Sequence, residues 1–364
     1  MIYLDHNSIT PPCSSALERM TPFLEKYWGA SFSPHKKGSE VVHALDTRMQ
    51  AIYDFVSADA SDRFIFISSA AEGVNQVFWS IFLEEARGKG KTHIIISTLE
   101  DAPTMQSAKR LEELGCTIKI APKTEEGSID IEALEKLITP RTALISVTMA
   151  HGLTGVIQPY EQIQKTAKKN QVLLHLDATY AFGKIPFHFE SDYLTFSGDR
   201  IHSVKGSGGL FAKKEVPLTP FILGGNEQDG FRGGAFDVPS FMALSGAVSQ
   251  SAIYLDIMAL EVVRLRDLFE SLVNGKVLFQ DQLRLPNVSL IAFEKVHQEA
   301  LLYFLNRKGV YANIGGPYAS YLSLIDETAI SFAFSRMTTE EEMRKAAQIV
   351  NETVEELQMI SEGI

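Results

Sequence analysis

The sequence predicts an α/β fold, with a mostly parallel central sheet in a large domain and a smaller α+β domain towards the C-terminus. Two observations predict it. Between about residues 60 and 215, short β-branched or aromatic runs alternate with segments of helical spacing, the pattern of strands joined by crossover helices. After GGNEQDGFRGGAFDVP (224–239) that alternation stops, and a long helical run is followed by short strands and a terminal helix.

The predicted strands are RFIFIS (63–68), THIIIST (92–98), TIKIA (117–121), TALISVTM (142–149), VLLHLDA (172–178), YLTFSG (193–198) and GLFAK (209–213). Helical spacing falls between most of them, at 73–86, 102–115 and 160–170. GSGG (206–209) reads as a hairpin between the last two strands; no helix follows it, so a nucleotide-binding loop is not indicated. The long helical run spans about 240–273. VSLIAFE (288–294) and AISFAFS (329–335) are strands, and a cap at Thr338 or Thr339 opens the terminal helix.

In a parallel sheet, ligands bind beyond the carboxyl ends of the strands. That singles out residues 68–72, 100–101, 150–153, 177–180 and 197–200. Asp177 closes a strand and is either a cap on the next turn or a partner for a cationic ring nitrogen or amine. SSAAEG (68–73) opens a helix, but two alanines and an acidic residue make a poor phosphate cradle, and a plain helix cap is expected there.

The net charge of −11 argues against nucleic acid or an anionic membrane as a partner, since both require a basic surface. No bilayer-spanning segment and no secretory leader are expected, which makes a cytoplasmic location the default. Cys13 and Cys116 form neither a disulfide framework nor a metal cluster, and Cys116 reads as a small core residue. The nine histidines lack metal-ligand spacing, so no metal is expected.

Several stretches together resemble the cysteine desulfurases, the NifS-like branch of the class V aminotransferases. They are YLDHNSITP (3–11), SPHKKG with His35 and Gly38, GSID (127–130), GVIQP (155–159), HLDATYAFGKIP (175–186), SGDRIHSVKGSGGL (197–210), GGNEQDGFRGG (224–234) and RMTTEEE (336–342). They run in family order at family spacing over nearly the whole chain. The resemblance implies the fold-type-I architecture of pyridoxal-phosphate enzymes and a homodimer. It also implies a large cofactor domain over 15–245 and a small domain made of 1–14 with 246–364.

Position by position, the resemblance implies losses. Arg200 stands where the family's lysine forms the imine with pyridoxal phosphate, and Asp199 where a histidine precedes it. A guanidinium stays protonated and is not an amine nucleophile. Lys184 and Lys205 fall at motif positions that do not hold the cofactor in the family. Asp101 replaces the ring-stacking histidine, while Ala71 and Ala235 replace two phosphate-binding threonines. AHGL, with His151, replaces a polar segment, and Tyr180 replaces a glutamine. Ser331 falls where an arginine holds the substrate carboxylate, and NIGGPYASYLS (313–323) contains no cysteine. Asp177, with Ser197 as a phosphate hydroxyl, is what remains of the cofactor contacts.

The expectation is therefore a degenerate NifS-like homodimer acting by binding or regulation. No cofactor is expected, with pyridoxal phosphate only if bound noncovalently. The alternative is an enzyme, either an aminotransferase or desulfurase after all, or one with altered chemistry on a small zwitterionic ligand. In that case Arg200, Asp101, His151, Asp177, Tyr180, Asp199 and His202 would gather in the old cleft. Against this stands a structural reading in which Arg200 simply forms an ion pair with Asp177, Asp199 or Asp101.

Overall fold

Apolar runs of five to seven residues form the central sheet, whose strand order is β2-β8-β7-β6-β5-β3-β4. The strands are β2 (Arg63–Ile67), β3 (His93–Ser97), β4 (Thr117–Ala121), β5 (Thr142–Thr148), β6 (Leu173–Asp177), β7 (Tyr193–Ser197) and β8 (Gly208–Ala212). From β4 through β7 every neighbour is parallel, while β8 lies antiparallel to both β7 and β2. The computed structural model describes residues 1–315 and 325–362.

Ten helices are described. α1 (Ser14–Glu25) and α2 (Lys36–Val56) precede the sheet; α3 (Ala70–Ser80), α4 (Ala102–Glu113), α5 (Ile131–Leu137) and α6 (Tyr160–Lys169) connect its strands. α3 continues into a wide π turn, Ile81–Arg87. One face of the sheet packs Phe66, Ile95, Ile145, Leu174 and Phe196 against α1, α2 and α7 (Val238–Ile257). The other face packs Ile65, Ile94 and Leu144 against α3 and α4.

A second core gathers Ile2 and Leu4 with residues 258–357. Its elements are α8 (Val263–Leu272), α9 (Gln298–Arg307), α10 (Glu340–Glu362) and the antiparallel order β12-β10-β9. These strands are β9 (Lys276–Leu278), β10 (Val288–Ala292) and β12 (Ala329–Ala333). β1 (Ile2–Tyr3) joins this part by parallel pairing with β11 (Val310–Tyr311).

Two sequence expectations change here. The opening of α3 is not a plain cap: Ser69 makes no side-chain cap bond. Instead Ser68 N donates to Glu72, and Ala70 N donates to Ser197 Oγ on the neighbouring strand. Nor is every helix too short or polar to cross a bilayer. α7, a π turn at Met258–Val262 and α8 run on as one helix, Val238–Leu272, long and apolar enough by length and composition. Its apolar first half is core, with Phe241, Met242, Leu244 and Val248 buried under the sheet.

Candidate active site

β6, β7 and the loop after β5 end at the same level and open towards the second core. Asp177, the last residue of β6, is buried beside Thr148 of β5 and Thr195 of β7. Thr179 N and Oγ1 both donate to Asp177 Oδ1, at 2.9 and 2.6 Å. The carboxylate is thus a cap on its own turn, and burial still pushes it up to about 6 against those bonds.

Two residues before Asp177, His175 spans the sheet, with Nδ1 2.8 Å from Ser146 Oγ and Nε2 2.9 Å from Thr195 Oγ1. Burial drives it down to about 3, so it is a neutral structural strut under the site. Glu100, on the loop after β3, accepts from Ser97 Oγ and Thr148 N. Its carboxyl is pushed up to about 8, chiefly by burial.

Asp101 and Tyr180 form the near wall. The Tyr180 hydroxyl is hydrogen-bonded to Asp101, whose carboxyl burial raises. The Tyr180 ring lies flat on the loop after β5: a Cβ at Gly152 would stand 2.4 Å from its Cζ. That loop also bridges to the second core. Asn7 Nδ2 donates to Gly152 O at 2.8 Å, and Ser331 Oγ donates to Leu153 O at 2.7 Å. Asn313 Nδ2 donates to Asp5 Oδ1 and Ser8 Oγ. The result is a cavity of about 270 Å³ lined by Asp5, Asp101, Tyr180, Asn313, Ser331 and their neighbours.

Arg200 sits on the 3₁₀ turn Gly198–Arg200 beyond β7. The expected ion pair is not there: among the described residues no carboxylate lies within 4.0 Å of its guanidinium nitrogens, and its Nε is buried without a partner. The reason is geometric. Asp177 is taken by Thr179 and Asp101 by Tyr180, whereas Arg200 faces a separate small cavity beside His6, Lys184 and His202. Its charge nevertheless reaches Asp5, Asp101 and Asp177, opposing their burial.

The other expected members scatter. His151 turns into its own loop, where Thr154 N donates to its Nδ1, and burial lowers it to about 4. The Asp199 carboxylate has one buried oxygen without a partner, while its backbone carbonyl accepts from Thr10. His202 lines the small cavity next to Arg200. Ala71 lies in the first turn of α3 and Ala235 on an exposed loop. The segment 313–323 falls outside the described residues from 316 onward.

The sequence reading missed Asp5, Asn7 and Asn313, and considered Lys184 only to set it aside. Lys184 is buried, donates to Asn7 Oδ1 at 2.7 Å, and is lowered to about 7 by burial first and Arg200 second. Gly183 holds φ +72 against Ile201, where a Cβ would stand 2.8 Å from Ile201 Cγ2, and this turn brings Lys184 beside Arg200. All four lay inside or beside quoted motif stretches, but only their partners across the fold reveal a role. Lys205 is exposed.

The sequence profile of the class V aminotransferases matches residues 2–345. A cysteine desulfurase of Trichormus azollae is 31% identical over 388 residues, covering 99% of this chain and 94% of the relative. Cysteine desulfurase NifS of Azotobacter vinelandii is 27% identical with the same coverage. Among solved structures, a NifS-like protein superposes with a TM-score of 0.90 at 27% identity, covering 98% of this chain and 99% of the other. A NifS-like protein from Rickettsia africae gives 0.86 at 22% identity, covering 99% of each chain, a likeness of fold alone.

These relatives overturn one expectation. Cysteine desulfurases depend on pyridoxal phosphate, so a cleft expected to take no cofactor is at odds with the family the chain matches. The residues fit that group in part. The Asp177 carboxylate suits a protonated ring nitrogen, and Ser197 Oγ, already at the start of α3, keeps its own proton to donate to a phosphate. They do not fit covalent attachment at position 200, where the resemblance implies an amine and a guanidinium stands. On its sequence profile, its relatives and its fold, the chain belongs to the class V aminotransferase family, in the NifS-like branch.

Proposed function

We propose that this NifS-like protein does not carry out the desulfurase reaction, and acts instead as a binding or regulatory homodimer in the cytoplasm. The single observation that carries the reading is Arg200, a guanidinium at the end of β7 with no ion-pair partner among the described residues, in the place the resemblance gives to the imine-forming amine. On this reading pyridoxal phosphate is held by Asp177 and Ser197 without a covalent link. When bound, that group supplies an electron sink for a substrate joined to it, which here has no lysine at position 200 to exchange with.

The chain's own residues favour a small ligand bearing a cation. Asp5 and Asp101 face the 270 Å³ cavity, and Tyr180, Asn313 and Ser331 offer polar contacts around it. Ser331 supplies a hydroxyl where a carboxylate-binding arginine is implied, and that hydroxyl is already given to Leu153 O. The two parts on either side of the cavity are read as a large domain over 15–245 and a small one of 1–14 with 246–364.

The test combines an absorption spectrum of the purified protein with pyridoxal phosphate, borohydride reduction with peptide mass analysis, and sulfide release from cysteine. Saturable spectral change with no fixed lysine and no sulfide is the expected result. A lysine fixed in good yield together with sulfide release would reinstate a desulfurase. One observation favours that second reading: Lys184 is a buried amine near neutrality, next to Arg200.

A further inference from the structure

Behind the Arg200 side of the cleft lies a small, partly open cavity of about 20 Å³, room for one particle of water size. Its lining is unusual in charge. Lys184, Arg200 and Arg336 all contribute, although Arg336 also donates to Ser251 Oγ and Gln250 Oε1; His6 and His202 line it as neutral rings, lowered by burial, and no Asp or Glu is among the lining residues. Burying like charges together is costly unless something of opposite sign compensates them.

Several polar atoms there lack a partner among the described residues. His6 Nδ1 and Arg200 Nε are buried and unpaired, and so is one acceptor, Asn287 Oδ1. Lys184 spends one of its three protons on Asn7 Oδ1. Ser335 Oγ accepts from Met337 N and keeps its own proton free to donate. The nearest carboxylates compensate weakly: Asp199 acts on Lys184, and Glu342 on His6, each as the smallest of the influences on that group.

We propose that this cavity is a site for a dehydrated, halide-sized monoanion, with chloride as the natural occupant. The small volume favours a halide over sulfate, phosphate or a carboxylate, and the unpaired Arg200 Nε beside Lys184 favours an anion over water. Bound there, the ion would offset the repulsion between Lys184 and Arg200. Its removal would leave Arg200 acting on Lys184 unopposed, so the anion is a structural counterion beside the 198–202 turn. This does not depend on how the neighbouring cleft is read.

The experiment uses the full chain. Thermal unfolding is followed in sodium chloride, bromide, gluconate and sulfate at matched ionic strength, and crystals grown in bromide are measured at the bromine absorption edge. Chloride and bromide should raise the midpoint saturably by roughly 2 °C, with gluconate and sulfate giving no saturable rise. An anomalous peak should appear among His6, Lys184, Arg200 and Arg336.

Ser335→Asp places a carboxylate at the cavity wall while keeping an acceptor for Met337 N, and should abolish the halide response without lowering the midpoint in gluconate. Equal midpoints in chloride and gluconate, or no bromide peak, would mean water alone and overturn the proposal. So would a full halide response surviving in Ser335→Asp, since the responding site would then lie elsewhere.

Discussion

Arginine and lysine carry the same charge, but only one of them can lose it near neutral pH, and the reading of the cleft hangs on that difference at position 200. Arg200→Lys restores an amine at the end of β7. The expected outcome is a visible band with pyridoxal phosphate and a borohydride-fixed adduct at position 200 that the parent protein lacks. No adduct in a folded R200K protein would show that the other replacements the resemblance implies, at Asp101, Ala71 and Ala235, already prevent the ring from seating.

Glu100 offers a second test at this scale. Its folded carboxyl sits at about 8, above the ordinary 4.5, so the folded state holds a proton that the unfolded chain releases. Its effect on stability is therefore absent below about pH 4.5 and grows unfavourable as pH rises towards 8. Glu100→Gln cannot ionise and keeps an acceptor for Ser97 and Thr148. It should raise the unfolding midpoint at pH 8 by roughly 2 °C or more and converge with the parent near pH 4. A gap independent of pH would mean that folding does not shift the Glu100 carboxyl from its ordinary range.

Among the elements, the sheet was legible because each strand is a short β-branched or aromatic run between turn residues, and all seven appear within about a residue or two of their expected bounds. α1 and α2 were not. α1 carries Pro22 inside it, and α2 is interrupted in sequence by charged and polar residues. Its core face, Val41, Leu45, Met49, Ile52 and Val56, is nonetheless at helical spacing. At the site, the strand-end residues were legible because a parallel sheet puts them on one edge. Asp5 and Asn313 were not, because they reach the cavity only through the pairing of β1 with β11 and of Asn313 with Ser331.

The terminal helix shows how local chemistry sets a boundary. Thr339 N and Oγ1 donate to Glu342 Oε2, and Glu342 N donates to Thr339 Oγ1, a reciprocal capping box before α10. Thr339→Ala should lower stability by about 1 kcal/mol, read as a shift in the urea midpoint at constant slope. Glu342→Ala should cost a similar amount, and the double variant less than the sum, since both act on the same turn.

For the molecule as a whole, the homodimer is the proposal that most needs a measurement, and the exposed apolar surface says where to make it. Leu223 is 82% exposed and Phe32 69% exposed. They share one region. Phe32 lines an open groove with Asn226 to Phe231 and Phe236, and the chain at Leu223–Gly224 packs closely on Gly233. The resemblance implies, at exposed Ala235 on the same loop, the position of a threonine that reaches the partner subunit's phosphate. On the homodimer proposal, that face adjoins a cleft that a second copy would complete. The expected sedimentation mass is twice the 40.4 kDa of the chain, and Leu223→Asp, which puts a charge in the middle of the patch, should move it towards the single-chain value. A parent protein that sediments as one chain would remove the homodimer. A dimer that survives Leu223→Asp would shift the interface to Ile253 and Leu260, exposed on the long helix.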